Sequence, residues 1–129
     1  MPHVTVISEH KYLAQVVSGH HRLTSDEPVA MGGSDAGPGP YELLLASLGA
    51  CSAITLRMYA SRKGWELGKI TVGLRLGRDE GGVEHIDRRF AFSKPLSNEQ
   101  KARLLEIAAK TPVTKTLAAG LRIDTSLGS

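Results

Sequence analysis

The chain has 129 residues, 41% apolar and 5% aromatic, with 16 basic and 13 acidic side chains and a formal net charge of +3. That length fits a single domain over residues 1–129, by the usual prior of roughly 100–200 residues per domain. Basic residues are scattered from Arg57 to Lys115 and no aromatic side chains interleave with them, which argues against a nucleic-acid partner. Cys51 is the one cysteine. It rules out a disulfide framework and fits a reducing, cytoplasmic compartment. The start, Met1–Val6, lacks the basic and long apolar regions of a signal peptide. The most apolar run, Tyr41–Tyr59, carries Glu42 and Arg57 and is broken by Gly49. It reads as too interrupted for a membrane span of about 20 residues, so no membrane partner is expected.

In chain order, Val4, Val6 and Ser8 alternate with Thr5 and Ile7, the period-2 pattern of a strand. Tyr12–Ser18 is a second β-rich run beyond a turn at Ser8–Lys11, and His20–Thr24 a short third strand. Met31–Pro40 holds four Gly and two Pro, a composition that forbids regular structure. Tyr41–Lys63 is helical, apolar nearly all round between Leu43 and Leu56, as in a helix buried in a core or an interface. Gly64 is suited to its C-terminal cap, and Gly49 could divide it in two.

Ile70–Arg78 and Val83–Phe92 alternate as an antiparallel hairpin about a turn at Asp79–Gly82. Ser97 and Gln100 form a capping box before a helix expected to bury Leu104, Leu105, Ile107 and Ala108. Thr111 as N-cap and Pro112 at the first helical position open a shorter helix that Gly120 closes. Leu121, Ile123 and Thr125 alternate as a final strand. The order implies an α+β fold built on antiparallel pairs.

On chemistry alone Cys51, among Ala50, Ala53 and Ile54, reads as a small buried hydrophobe. A reactive thiol instead requires a partly exposed, thiolate-stabilising site. A helix break at Gly49 would supply one through a helix N-terminus, and Arg22 or Arg57 through a guanidinium. The five histidines show no ligand spacing, and His20 and His21, adjacent on a strand, would point to opposite faces, so no metal is expected. The loop Gly32–Gly37 fits neither a P-loop nor a dinucleotide fingerprint, and no cofactor is expected. Glu42 reads as a first-turn carboxylate favoured by the helix dipole.

The run from Gly37-Pro38-Gly39-Pro40-Tyr41-Glu42 through Leu48-Gly49-Ala50-Cys51 to Ala60, with Leu104–Ala108, Pro112-Val113 and Lys115–Leu117, resembles the OsmC/Ohr superfamily of osmotically inducible and organic hydroperoxide resistance proteins. The resemblance covers nearly the whole chain. It implies antiparallel sheets packed on two main helices, in an interlocked homodimer with two active sites at the interface. Cys51 matches the peroxidatic cysteine, which attacks a hydroperoxide and becomes a sulfenic acid. The resemblance also implies a thiolate-stabilising arginine, for which Arg22 is the candidate by position, and a glutamate after the proline. Tyr41 stands at that glutamate's position, with Glu42 one residue later. Thr111 occupies the place of the resolving cysteine, and Thr114 a place where many relatives carry histidine. Two functions follow. The first is a one-cysteine thiol peroxidase acting on small hydroperoxides, with an external thiol as reductant. The second is a non-enzymatic or repurposed relative binding a small apolar ligand.

Overall fold

A computed structural model describes residues 1–128. Three strands come first: β1 (Thr5–His10), β2 (Leu13–Ser18) and β3 (His21–Ser25), paired antiparallel in the order β1-β2-β3. Val6 lies opposite Val16, and Val16 opposite Leu23. The first turn is tighter than the sequence implied, with Lys11 at a positive φ of 51° and the register slipping between Ser8 and His10. One 3-10 turn, Val29–Met31, follows, and then the Gly/Pro loop.

That loop is tied down by one carboxylate. Asp26 is 3% exposed; its Oδ1 accepts the N–H of Glu27, and its Oδ2 accepts those of Ser34 and Ala36 at 3.1 Å. The Ala36 N–H is the largest influence holding this carboxyl below its ordinary value; burial opposes it, and the Glu27 and Ser34 N–H groups add to it. Side chains at Gly33 or Gly37 would run into the carbonyls of Glu27 or Thr24, so only glycine permits these approaches.

Helix α1 spans Pro40–Lys63 without interruption. Gly49 does not divide it, contrary to the sequence expectation. Instead Gly49 is buried, and a methyl group there would come within 2.8 Å of Leu74 Cδ1. The glycine lets the helix approach the neighbouring strand. The Glu42 carboxylate accepts the N–H of Gly39, just before the helix, at 3.0 Å, the position from which a third-residue acid satisfies an orphan donor. Gly64, at φ 70°, ends the helix. By length and composition alone α1 is apolar enough to cross a bilayer, despite the interruptions noted above. Leu48, Gly49, Ser52, Leu56 and Ala60 nevertheless form a buried stripe. Leu44, Ile54 and Met58 are exposed, so the helix is not buried all round.

Strands β4 (Ile70–Arg78) and β5 (Glu84–Phe92) form the second, two-stranded antiparallel sheet. Helices α2 (Asn98–Ala108) and α3 (Pro112–Ala119) follow. The capping box of α2 forms with both bonds, Gln100 N–H to Ser97 Oγ and Ser97 N–H to Gln100 Oε1. Leu56, Ala60, Leu67 and Leu104 make the core, with Tyr59, Trp65, Phe90, Phe92 and Ile107 packed against it. Leu105, expected inside, is 61% exposed. Residues 121–128 pair with no strand, and Leu121 and Ile123 are 67% and 82% exposed. The expected final strand is absent because alternation supplies a face and not a pairing edge.

The chain divides into two compact units, residues 1–46 and residues from Ser47 onward. The first holds the three-stranded sheet and the Asp26 loop; the second holds the hairpin, the core and Cys51. Two antiparallel sheets and three helices constitute the α+β fold implied by the sequence.

Candidate functional site

The site is built in the second unit, where α1, β5, the end of α2 and α3 meet on one guanidinium. In the β4–β5 ladder Ile70 faces Phe92, Val72 faces Phe90, Leu74 faces Arg88 and Leu76 faces Ile86. Directly opposed residues share a face, so Arg88 occupies a half-buried position on an otherwise apolar surface. Its Nη1 donates to Ser52 Oγ at 2.9 Å and to Thr114 Oγ1 at 2.8 Å, and its Nη2 donates to the carbonyl of Ala108 at 3.0 Å. The guanidinium also stands 5.4 Å from the Phe90 ring centroid. Among the described residues no carboxylate pairs with it.

Burial pushes the Arg88 guanidinium below its ordinary value, and interaction with the charge of Cys51 draws it back up. The residue remains a cation at any physiological pH. Cys51, next to Ser52 on α1, is half-buried and free. It therefore is not the fully enclosed hydrophobe that its apolar neighbours suggested. It lies well inside a continuous helix, so the helix N-terminus that a break at Gly49 would have provided does not exist. Arg88 reaches the adjacent residue of α1, donating to Ser52 Oγ.

Thr111 and Thr114 complete the arrangement. Thr111 sits at the N-cap of α3 with Pro112 following, as the sequence implied, but its hydroxyl caps no backbone N–H. It bonds Thr114 Oγ1 at 2.6 Å, and Thr111 is 1% exposed. Ser52, 0% exposed, donates its hydroxyl hydrogen to the Leu48 carbonyl at 2.6 Å, so its oxygen is left to accept from Arg88. Every buried side-chain polar atom described has a partner.

The other residues singled out from sequence have local partners or face solvent. Arg22, on β3, is exposed and directs its Nη1 to the carbonyls of Gly19 and His21. Glu42 is engaged at the start of α1, and Arg57 is exposed. His20 belongs to the turn before β3 and not to the strand, so its ring lies 4.1 Å from that of His21 instead of on the opposite face. Among the described residues no three His, Cys, Asp or Glu side chains converge on a common point.

Arg88 was missed in the sequence, although a signal was present. Ile86, Arg88, Phe90 and Phe92 share one face of a period-2 strand, so a charge stands in an apolar register. Arg88 also borders an open groove of about 760 Å³ beside β5 and α2, walled by Leu56, Phe90, Phe92, Leu96 and Leu104. Arg89, Lys94 and Lys101 add positive charge to its rim, and no acidic residue lines it.

The fold is shared with solved structures. An OsmC-like protein from Mycoplasma pneumoniae matches with a TM-score of 0.78 and 20% identity over 92% of this chain and 87% of that one. An organic hydroperoxide resistance protein OsmC from Legionella pneumophila matches at 0.62 and 16%, covering 89% and 87%. The organic hydroperoxide resistance protein OhrB of Bacillus subtilis matches at 0.59 and 23%, covering 88% of each chain. No curated protein sequence matches the chain. The model of the family described as OsmC-like protein matches residues 32–126, a span that includes Cys51, Ser52, Arg88, Thr111 and Thr114. With most of its length matched, the chain belongs to the OsmC-like protein family.

Proposed function

We propose that this protein is a one-cysteine, thiol-dependent reductase of small organic hydroperoxides, acting in a stress or peroxide-resistance role. One observation carries the reading: Arg88, bound only by neutral acceptors, donates to Ser52, the residue next to Cys51 on α1. Opposite charge favours the thiolate, and the thiolate is the nucleophile.

The Cys51 thiolate attacks the distal oxygen of ROOH. An S–O bond forms, the O–O bond breaks, and the alkoxide leaves as ROH after taking a proton from solvent. Cys51 is then a sulfenic acid. Thr111 has no thiol chemistry, so an external low-molecular-weight thiol must attack the sulfur, expelling water and forming a mixed disulfide. A second thiol releases the free disulfide and restores Cys51.

A second copy of the chain is the partner, and the cytoplasm, which keeps a lone thiol reduced, the location. Leu44, Cys51 and Met58 recur at seven-residue spacing on α1, with Ile54 between them, the spacing that packs one helix against another. Leu44, Ile54 and Met58 are 37%, 56% and 61% exposed, and a matching helix would cover them. Light scattering should give twice the chain mass, and Leu44→Lys with Met58→Lys should return a monomer.

Peroxidase assay with a small dithiol and tert-butyl hydroperoxide tests the activity. Turnover lost in Cys51→Ser supports it; wild-type protein that consumes two equivalents and stops, at sulfinic acid, refutes it. The cationic rim and apolar walls of the β5–α2 groove favour a second reading, binding of a small amphipathic anion without turnover. On that reading Cys51→Ser retains full affinity for a medium-chain carboxylate.

A further inference from the structure

Arg88 carries five N–H donors, and three have partners within the chain. Those partners come from three different places: Ser52 on α1, the Ala108 carbonyl at the end of α2, and Thr114 on α3. None carries a charge. Behind them stand further fixed groups. Ser52 is anchored to the Leu48 carbonyl, and Thr114 to the buried Thr111 hydroxyl and to the Ala108 carbonyl at 3.3 Å.

This arrangement does two things that a salt bridge would not. It holds the planar guanidinium from three directions, which fixes its orientation. It also leaves the positive charge uncompensated, where a carboxylate at any of these places would cancel it. Nε–H and the second Nη2–H make no bond to a described residue, so two donors of a rigid fork are left for an anion.

We propose that Ser52 and Thr114, with Thr111 behind Thr114, are positioning residues that form a neutral socket fixing Arg88 against the turn of α1 that carries Cys51. The inference rests on the thiol chemistry proposed above. It gives Thr111 a function of its own: the residue standing where a resolving cysteine is expected instead braces the cation.

Arg88, from β5, bonds to the residue next to Cys51; Arg57, on α1 itself, is exposed. The test is the rate of Cys51 alkylation by iodoacetamide across pH 5–9, which reads the thiolate directly and needs no peroxide turnover. Ser52→Ala and Thr114→Val should each slow alkylation at pH 6.5 about fivefold to tenfold and move the profile to higher pH. A tenfold loss corresponds to a shift of about one pH unit. Thr114→Ser keeps the hydroxyl and should restore the wild-type profile. Wild-type profiles in folded Ser52→Ala and Thr114→Val overturn the socket, as does a Thr114→Ser variant as impaired as Thr114→Val. If the wild type fails to turn over peroxide while the alkylation profiles separate as stated, the peroxidase reading falls and the socket stands.

Discussion

Arg88 stands directly across the β4–β5 ladder from Leu74, a cation opposite an aliphatic side chain on the half-buried face of the hairpin. A lone charge on such a surface is costly unless it is hydrogen-bonded. Here Ser52, Thr114 and the Ala108 carbonyl supply those bonds. The same hairpin that covers the core thus presents the cation of the proposed site.

Replacing Arg88 by Met should separate chemistry from stability. Methionine completes the apolar face at similar volume, and exchanging a buried ion for a packed hydrophobe is often close to neutral. The Ala108 carbonyl loses a donor, so we expect a cost of about 1–2 kcal/mol in urea unfolding. Reaction of Cys51 with tert-butyl hydroperoxide at pH 7 should fall at least about tenfold, since an opposite charge favours the nucleophilic thiolate. An unchanged rate constant in stopped-flow would remove Arg88 from the chemistry.

Thr111→Cys should return an internal partner to the sulfenic acid. After one equivalent of hydroperoxide, intact mass spectrometry should show a loss of about 2 Da as a disulfide closes, while the wild type gains about 16 Da. A variant that gains oxygen without closing the bond would show that position 111 does not reach Cys51.

Asp26 makes the loop before α1 sensitive to acid. Its carboxyl is held below the ordinary value of 3.8 chiefly by the Ala36 N–H. The folded form therefore binds the proton less readily than the unfolded form. The resulting stability is fully present above the unfolded value, about 3.9, and is lost as pH falls through the folded one. Asp26→Asn should melt below the wild type at pH 7, and the gap should narrow below about pH 4. A gap that stays constant from pH 7 to pH 2 would assign the difference to packing alone.

Gly49→Ala brings two opposing effects. Alanine gains about 1 kcal/mol of helix propensity over glycine, and its methyl group displaces the flexible end of Leu74. The net change in denaturant unfolding should lie within about 1 kcal/mol. Gly49→Val is bulkier and should lose about 1–3 kcal/mol, recovered in part by Leu74→Ala. A stabilised Gly49→Val would contradict the close approach of α1 to β4.

The parts legible in the sequence are those set by neighbours along the chain. The α2 capping box forms as read because Ser97 and Gln100 need only each other's backbone. The hairpin register follows from period-2 alternation running from Ile70 to Phe92. Gly49 misled because helix propensity is local, whereas its contact with Leu74 lies 25 positions away. Leu121, Ile123 and Thr125 misled for a related reason: a strand is defined by a partner that alternation cannot name. Ser52 and Arg88 were passed over, and Thr114 was noted only through the resemblance, because their relation is spatial, across separations of 36 and 26 residues.

Because Thr111 can close no ring with Cys51, oxidation leaves the connectivity of this chain untouched. Reduced and sulfenic forms have the same loops, the same hydrodynamic size when unfolded, and the same mobility on a non-reducing gel. A shift assay built for a two-cysteine relative would report nothing while the sulfur was oxidised. On the proposed cycle, the redox state of this protein is written in the mass of one side chain and has to be read there.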